Sequence, residues 1–382
     1  MKILLVEPSY YTKFPPLGLL KLASYYRSRG NQVKLVRGLH EDLGFKPDQI
    51  AITSLFTYAW KQVHEAIDFY HNKFSTAKMK VGGLYASLMS ERLKSAFPFI
   101  DVNVGLFEEA DKYLPAYDLL EEVEEWKDWD STILFTSRGC IRHCPYCVVP
   151  QIEGNIRRTI VDDLKRYVYP DHKRIILWDN NFFASPNWEK LLTELYDINL
   201  PVDFNQGIDC RLVDDEKAGL IANLRISDIR LAFDNIDVKK VFNSAVTHFA
   251  NNGINRRKIF TYVLYNFYTE GHLEDTPAAF FERIKQISEL GCVSYPMRYE
   301  PLFALEKNRY ISPLWTTDQV DRVVKARRIL GFGGAFPPYT GLVSKFQKAN
   351  SFEEAFSVFP LKNRNNTSEL TGKQKAEIIL SA

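Results

Sequence analysis

Three thiols stand within eight residues at Cys140-Ile141-Arg142-His143-Cys144-Pro145-Tyr146-Cys147, in a chain whose other cysteines are Cys210 and Cys292. The C-x3-C-x2-C spacing is that of a metal site. Iron–sulfur clusters are held by cysteine thiolates, and a [4Fe–4S] cube normally takes one from each iron. Three close ligands would hold three irons and leave the fourth open to an exogenous ligand. Zinc is the competing occupant. It takes four closed ligands in paired C-x2-C or Cys/His sets; His143 could be the fourth, although it lies inside the loop and no second pair follows. Cys210 and Cys292, without cysteine neighbours, read as small buried hydrophobes.

The totals bound what surrounds this loop. A chain of 382 residues, 46% apolar and 25% charged, has room for two domains or one large domain with appendages. Lys plus Arg number 49 against 47 for Asp plus Glu, so the net charge of +2 gives no electrostatic case for a nucleic-acid or membrane partner. Five cysteines, with three clustered, do not make a disulfide framework. The apolar run after Met1 is cut by Glu7 and Pro8, too short for a signal h-region or a membrane span. A reducing, cytoplasmic location is expected.

The elements that must position the loop follow from periodicity. Buried strands are expected at 3–6, 33–36, 49–55, 79–81 and 102–104. Helices are expected from Pro16 to Tyr26, stopped by Gly30, and from Val63 to Phe74 with His64 and Asp68 on the wet side. Strands alternating with helices make an open, doubly wound parallel sheet, assigned to residues 1–125. Residues 111–130, with Glu121, Glu122, Glu124 and Glu125 beside Trp126 and Trp129, read as a solvated helical connector. From 126 to 302 the alternation returns: strands at 133–136, 174–178, 202–205, 229–233, 259–264 and 293–299, with helices near 161–169, 188–196, 216–223, 238–251 and 278–290. Six such units predict a partial (β/α)6 TIM-like barrel with its chemistry at the carboxyl ends of the strands. Residues 303–382 form a small, mainly helical region with a helix at 317–330. Its loop Gly331–Tyr339, rich in glycine and aromatic residues, is either a tight turn or a flap, and a polar tail begins at Asn363.

With its lead-in Ser137-Arg138-Gly139 and with Tyr146 just before the third cysteine, the loop resembles the radical S-adenosylmethionine (radical SAM) superfamily. The resemblance implies a [4Fe–4S] cluster on Cys140, Cys144 and Cys147. It also implies SAM chelating the open iron, reductive cleavage to a 5′-deoxyadenosyl radical, and an electron donor such as flavodoxin or ferredoxin. SAM contacts are then expected from Tyr146, from Asp179, Asn180 and Asn181 toward the methionyl amino group, and from Arg211 toward the carboxylate. Asp234 and Met297 would stand near ribose and adenine. Arg211 could equally pair with Asp209 or Asp234, and the Asp-Asn-Asn run could be a turn that caps the next helix.

The amino-terminal pattern, Pro15-Pro16-Leu17-Gly18-Leu19-Leu20 with Val81-Gly82-Gly83, resembles the cobalamin-binding domain of B12-dependent radical SAM enzymes. That implies cobalamin near Ser54, Thr57, Gly82, Gly83 and Tyr85, and a transferase that methylates an unactivated carbon of a small molecule or peptide. The histidine loop by which some such domains ligate cobalt is absent: His40 is followed by Glu41-Asp42-Leu43-Gly44. A domain that has lost cobalamin and serves a non-methylating rearrangement is one alternative, and a non-catalytic iron–sulfur protein is another. Methylthiotransferases fit less well, because residues 1–139 contain none of the three further cysteines that their auxiliary cluster needs.

Overall fold

Ile3, Leu4, Leu5 and Val6 have no exposed surface, so this strand is covered on both faces, as parallel sheets require. The computed structural model of the chain describes residues 1–160, 163–270, 275–330 and 340–357. The loop Gly331–Tyr339 and the tail from Asn363 lie outside the described residues. The backbone divides into two compact units: Met1–Asn180 with Glu300–Lys307, and Asn181–Tyr299 with the residues from Asn308 onward.

The first unit opens with β1 (Lys2–Glu7), α1 (Leu17–Arg27), β2 (Gln32–Arg37), β3 (Gln49–Ser54), α2 (Trp60–Lys73), β4 (Lys78–Gly83), α3 (Leu84–Leu88), α4 (Ser90–Ala96) and β5 (Asp101–Val102). The five strands form one parallel sheet in the order β2-β1-β3-β4-β5. The strand order reverses between β1 and β3, the point at which such sheets place their ligand crevice. Alternation along β1 sorts its side chains. Ile3 and Leu5 meet Leu19, Leu20 and Ala23 of α1 on one face. Leu4 and Val6 meet Val63, Ala66, Ile67 and Tyr70 of α2 on the other. The sheet is doubly wound, as expected. Each fully buried Leu, Val or Phe adds about 1.5–3 kcal/mol of transfer free energy, which outweighs the mixed local propensity of these segments.

The acidic connector departs from expectation. After α5 (Glu108–Asp111) the chain makes a 3-10 turn at Tyr117–Glu122 rather than a solvated helix. Ala116, Tyr117, Leu119, Leu120, Val123 and Trp126 are buried in the same cluster as α1. The glutamates do stay wet, but apolar residues between them give the segment a buried face, and the Trp126 indole donates to Glu7 Oε2 at 3.0 Å. His64 also differs: it is half-buried, packs against Phe97 and bonds the Tyr85 hydroxyl at 2.9 Å, while Asp68 is exposed as expected.

The unit continues with β6 (Ser131–Leu134), β7 (Ser137–Arg138), α6 (Val149–Ile152), β8 (Arg157–Arg158) and β9 (Arg174–Leu177). β6 and β9 pair in parallel, and β7 and β8 form a short antiparallel pair. Instead of a helix over 161–169 there is a 3-10 turn at Leu164–Tyr167, where the Asp163 carboxylate accepts from the Lys165 N–H; residues 161 and 162 lie outside the described residues. The side-chain bond to a backbone N–H offers this segment a turn in place of a helix.

The second unit carries α7 (Trp188–Ile198), β10 (Val202–Phe204), α8 (Asp215–Ala222), β11 (Ile229–Ala232), α9 (Lys239–Asn251), β12 (Ile259–Tyr265), α10 (Pro277–Glu289) and β13 (Val293–Arg298). It then continues with α11 (Thr317–Leu330), α12 (Thr340–Lys348) and α13 (Phe352–Ala355). β11, β12 and β13 form a parallel sheet. Arg283 on α10 is 1% exposed and ties this sheet's carboxyl edge together. Its guanidinium donates to the carbonyls of Phe233 (3.2 Å), Asp234 (2.8 Å) and Leu264 (3.0 Å) and pairs with the Asp275 carboxylate. The carboxy-terminal region is mainly helical, with Phe352 and Phe356 stacked at 4.6 Å and Trp315 against Phe280. Among the described residues no helix is long and apolar enough to cross a membrane.

Candidate iron–sulfur site

The cysteine loop leaves the carboxyl end of β6 through Thr136, and both its ends are fastened. Asp179, just beyond β9, is 3% exposed. It accepts from Thr136 N at 3.1 Å and from Thr136 Oγ1, Ser137 N and Ser137 Oγ at 2.6 Å each. Burial pushes its carboxyl above the usual range, and the Ser137 and Thr136 donors pull it back down. Three of these four donors share Oδ1 and one meets Oδ2, and the carboxylate thereby braces the strand that delivers the loop.

Gly139 takes φ +77°, and a Cβ there would lie 2.2 Å from the Asn155 carbonyl oxygen, so only glycine fits this approach. Its N–H donates to Glu153 Oε2 at 2.8 Å, and the Cys140 N–H to the Gly154 carbonyl at 3.2 Å. Residues 138–140 and 153–155 thus close the base of the loop. Within it, the Cys147 N–H donates to the Cys144 carbonyl at 3.0 Å, and the Arg142 N–H reaches Cys140 Sγ at 3.3 Å. Cys140 is buried, and Cys144 and Cys147 are half-buried. Burial pushes the Cys147 thiol up, and the neighbouring Cys144 and Cys140 sulfurs add to the shift. Among the described residues no three His, Cys, Asp or Glu side chains converge on one ion. A cube does not ask for that, since each thiolate binds its own iron. Three thiols within eight residues, a backbone N–H aimed at one sulfur and a loop closed over glycine fit a cluster.

Of the other residues singled out, Tyr146 is half-buried on the loop. Asn180 donates to Glu153 Oε2 at 2.8 Å. In the second unit Asn181 donates to Asp209 Oδ2 at 3.1 Å, and Arg211 grips the same carboxylate with Nε at 2.6 Å and Nη2 at 3.1 Å. Pairing of Arg211 with Asp209, one of the readings left open, is present. Asp234 accepts from the Leu264 N–H at 2.9 Å, and Met297 on β13 is 43% exposed.

The residues put forward for cobalamin are mostly closed into the sheet. Ser54 is fully buried; its hydroxyl donates to the Gly82 carbonyl at 2.8 Å and accepts from the Ala86 N–H at 3.0 Å. Tyr85 is fully buried with its hydroxyl on His64, and Thr57 is buried as well. Gly83 is at φ +101°, where a Cβ would stand 2.4 Å from the Ser54 carbonyl oxygen. Gly82 would gain only an ordinary contact with Asn103. Ser54, Gly83 and Tyr85 thus shape the strand ends. After β1, β2 and β5 the chain exposes Tyr11, Leu39 and Val104.

Sequence reasoning missed Glu153 and Thr136. It quoted Arg138 only as part of a motif. No family model matches the chain. It is 26% identical over 131 residues to the ribosomal protein uS12 methylthiotransferase RimO of Dictyoglomus thermophilum, covering 29% of this chain and 30% of that protein. The RimO of Natranaerobius thermophilus is 28% identical over 162 residues, 34% of this chain and 36% of its own length. Over 145 residues the chain is 28% identical to the tRNA-2-methylthio-N(6)-dimethylallyladenosine synthase of Fusobacterium nucleatum, with 30% and 33% covered. The chain thus spans about a third of the length of the curated relatives it matches. The radical S-adenosylmethionine methyltransferase TsrM of Kitasatospora setae, solved with cobalamin and a [4Fe–4S] cluster bound, aligns over 93% of this chain and 98% of its own. The TM-score is 0.61 at 14% identity. The chain shares the fold of that methyltransferase. The doubly wound sheet precedes the cysteine loop in the chain, and the loop follows β6.

Proposed function

We propose that this chain is a radical SAM enzyme of the B12-domain type, acting on a small molecule or peptide. The observation that carries the reading is the loop itself: Cys140, Cys144 and Cys147 on a segment closed at its base by Glu153 and braced by Asp179. A [4Fe–4S] cluster held there would supply the reductive cleavage of SAM, with electrons from a donor such as flavodoxin or ferredoxin. The protein's own part is to hold three irons by thiolate, leave the fourth iron to SAM, and orient the methionyl and adenosyl groups. Tyr146 and Asn180 are the side chains we assign to that orientation.

We further assign cobalamin to the carboxyl edge of the doubly wound sheet, with methyl transfer to carbon as the reaction. The support is the fold shared with TsrM and the apolar surface offered there by Tyr11, Leu39 and Val104. A methylthiotransferase reading draws on sequence similarity across about a third of the chain, but residues 1–139 contain no cysteine for an auxiliary cluster. The test is anaerobic reconstitution with iron, sulfide and hydroxocobalamin, then desalting and metal analysis. About one cobalt per chain beside a four-iron cluster is the expected result. Cobalt lost on desalting with iron kept would refute the cobalamin assignment and leave a non-methylating radical SAM enzyme.

A further inference from the structure

Four charged side chains run through the interior of the first unit in one unbroken line. Lys21, 8% exposed on α1, donates to the Asp111 carbonyl at 2.9 Å and to its Oδ1 at 3.1 Å. Arg138 donates to the same Oδ1 and to Glu153 Oε1, each at 3.0 Å, with its guanidinium 3.4 Å from the Phe135 ring centroid. Glu153 Oε2 then accepts from the Gly139 N–H and from Asn180, each at 2.8 Å. Cations and anions alternate, so the line is neutral, and every member is at most 15% exposed at its side chain. Water does not compete for these pairs as it does at the surface, and removing one member strands its neighbour's charge.

The line ends at the residue before Cys140. Gly139 is the position with no room for a Cβ, so the path into the first ligand is set by the backbone, and Glu153 holds that backbone N–H. Arg138 orients Glu153, Asp111 orients Arg138, and Lys21 anchors Asp111 to the first helix of the doubly wound sheet. The geometry points to Glu153 and Lys21 as positioning residues for the Cys140 end of the loop. The amino-terminal sheet is then a working part of the cluster site, with or without cobalamin. The inference rests on the reading of Cys140 to Cys147 as the cluster loop.

Its test uses the full chain, reduced and free of iron, with timed alkylation by iodoacetamide of all five cysteines read by mass spectrometry. Cys210 and Cys292, both buried, report opening of the second unit, and circular dichroism with thermal melting reports opening of the first. Glu153→Gln is expected to speed alkylation of Cys140 by about ten-fold, the lower end of what outer-shell partners contribute at metal sites. Lys21→Met is expected to act in the same direction, with Cys210 and Cys292 unmoved in both. In the reconstituted proteins the reduced cluster's EPR spectrum should change and iron should pass faster to a chelator. An unchanged Cys140 rate in both variants, or a rise shared with Cys210 and Cys292, overturns the inference. The thiol readout needs no iron. A wild-type chain that holds no cluster, yet shows Cys140 unmasked in the variants, would refute the cluster reading while leaving the positioning chain intact.

Discussion

Cys144→Ala protein should fold and yet hold no intact four-iron cluster. Cys144 is half-buried on a loop whose base is closed by other residues, Glu153 with Gly139 and Gly154 with Cys140. The chain therefore loses a ligand without losing the frame. Outer-shell partners at metal sites are worth about 10–100-fold in affinity, so a direct ligand should exceed that. Iron retained after desalting is expected to fall well below the wild-type ratio, and SAM cleavage by more than about 100-fold. Circular dichroism should match the wild type. Cys147→Ala should behave alike. Cys210→Ala should keep its iron: that thiol is buried with its sulfur 3.9 Å from the Ala232 carbonyl, and burial pushes it up to about 11, poor terms for a thiolate ligand. A Cys144→Ala protein that kept a full complement of iron would show that the loop is not the ligand set.

Arg283→Met is expected to cost the largest share of stability of any single change in the second unit. The guanidinium pairs with Asp275 and satisfies the carbonyls of Phe233, Asp234 and Leu264, at the carboxyl edge where β11 and β12 end. Methionine fills similar volume but leaves Asp275 as an unpaired carboxylate at 5% exposure, with three carbonyls short of a donor. Breaking a buried pair from one side costs about 3–5 kcal/mol, and denaturant unfolding reads that directly. Adding Asp275→Asn should restore part of the loss, because the stranded charge is then gone and the amide still accepts from the Phe267 N–H. A single variant within about 1 kcal/mol of wild type, the spread of ordinary substitutions, would mean that water reaches this cluster and the pair is not buried in solution.

What could be read from the sequence was local. The cysteine spacing is contained in eight residues, and the buried strands announce themselves as short apolar runs bounded by turns. What could not be read depends on partners far along the chain. The donors to Asp179, Thr136 and Ser137, are 43 and 42 residues away. Arg283 gave no sign at all, since a lone arginine on a helix is usually wet and its carbonyl partners lie up to 50 residues distant. The connector was misread because four glutamates dominate its composition, while the buried Leu119, Leu120, Val123 and Trp126 decide its packing. Ser54 and Tyr85 were credited to a ligand by their place at strand ends. The same place lets Ser54 bond the Gly82 carbonyl on β4 and Tyr85 bond His64 on α2.

The measurement that bears most directly on the central claim is anaerobic incubation of the reconstituted full chain with SAM and dithionite, with 5′-deoxyadenosine and methionine quantified over time. The account predicts 5′-deoxyadenosine that depends on reductant and disappears in Cys144→Ala. A wild-type protein that carries four irons per cluster and accepts electrons, yet leaves SAM intact in the presence of candidate substrates, would contradict it.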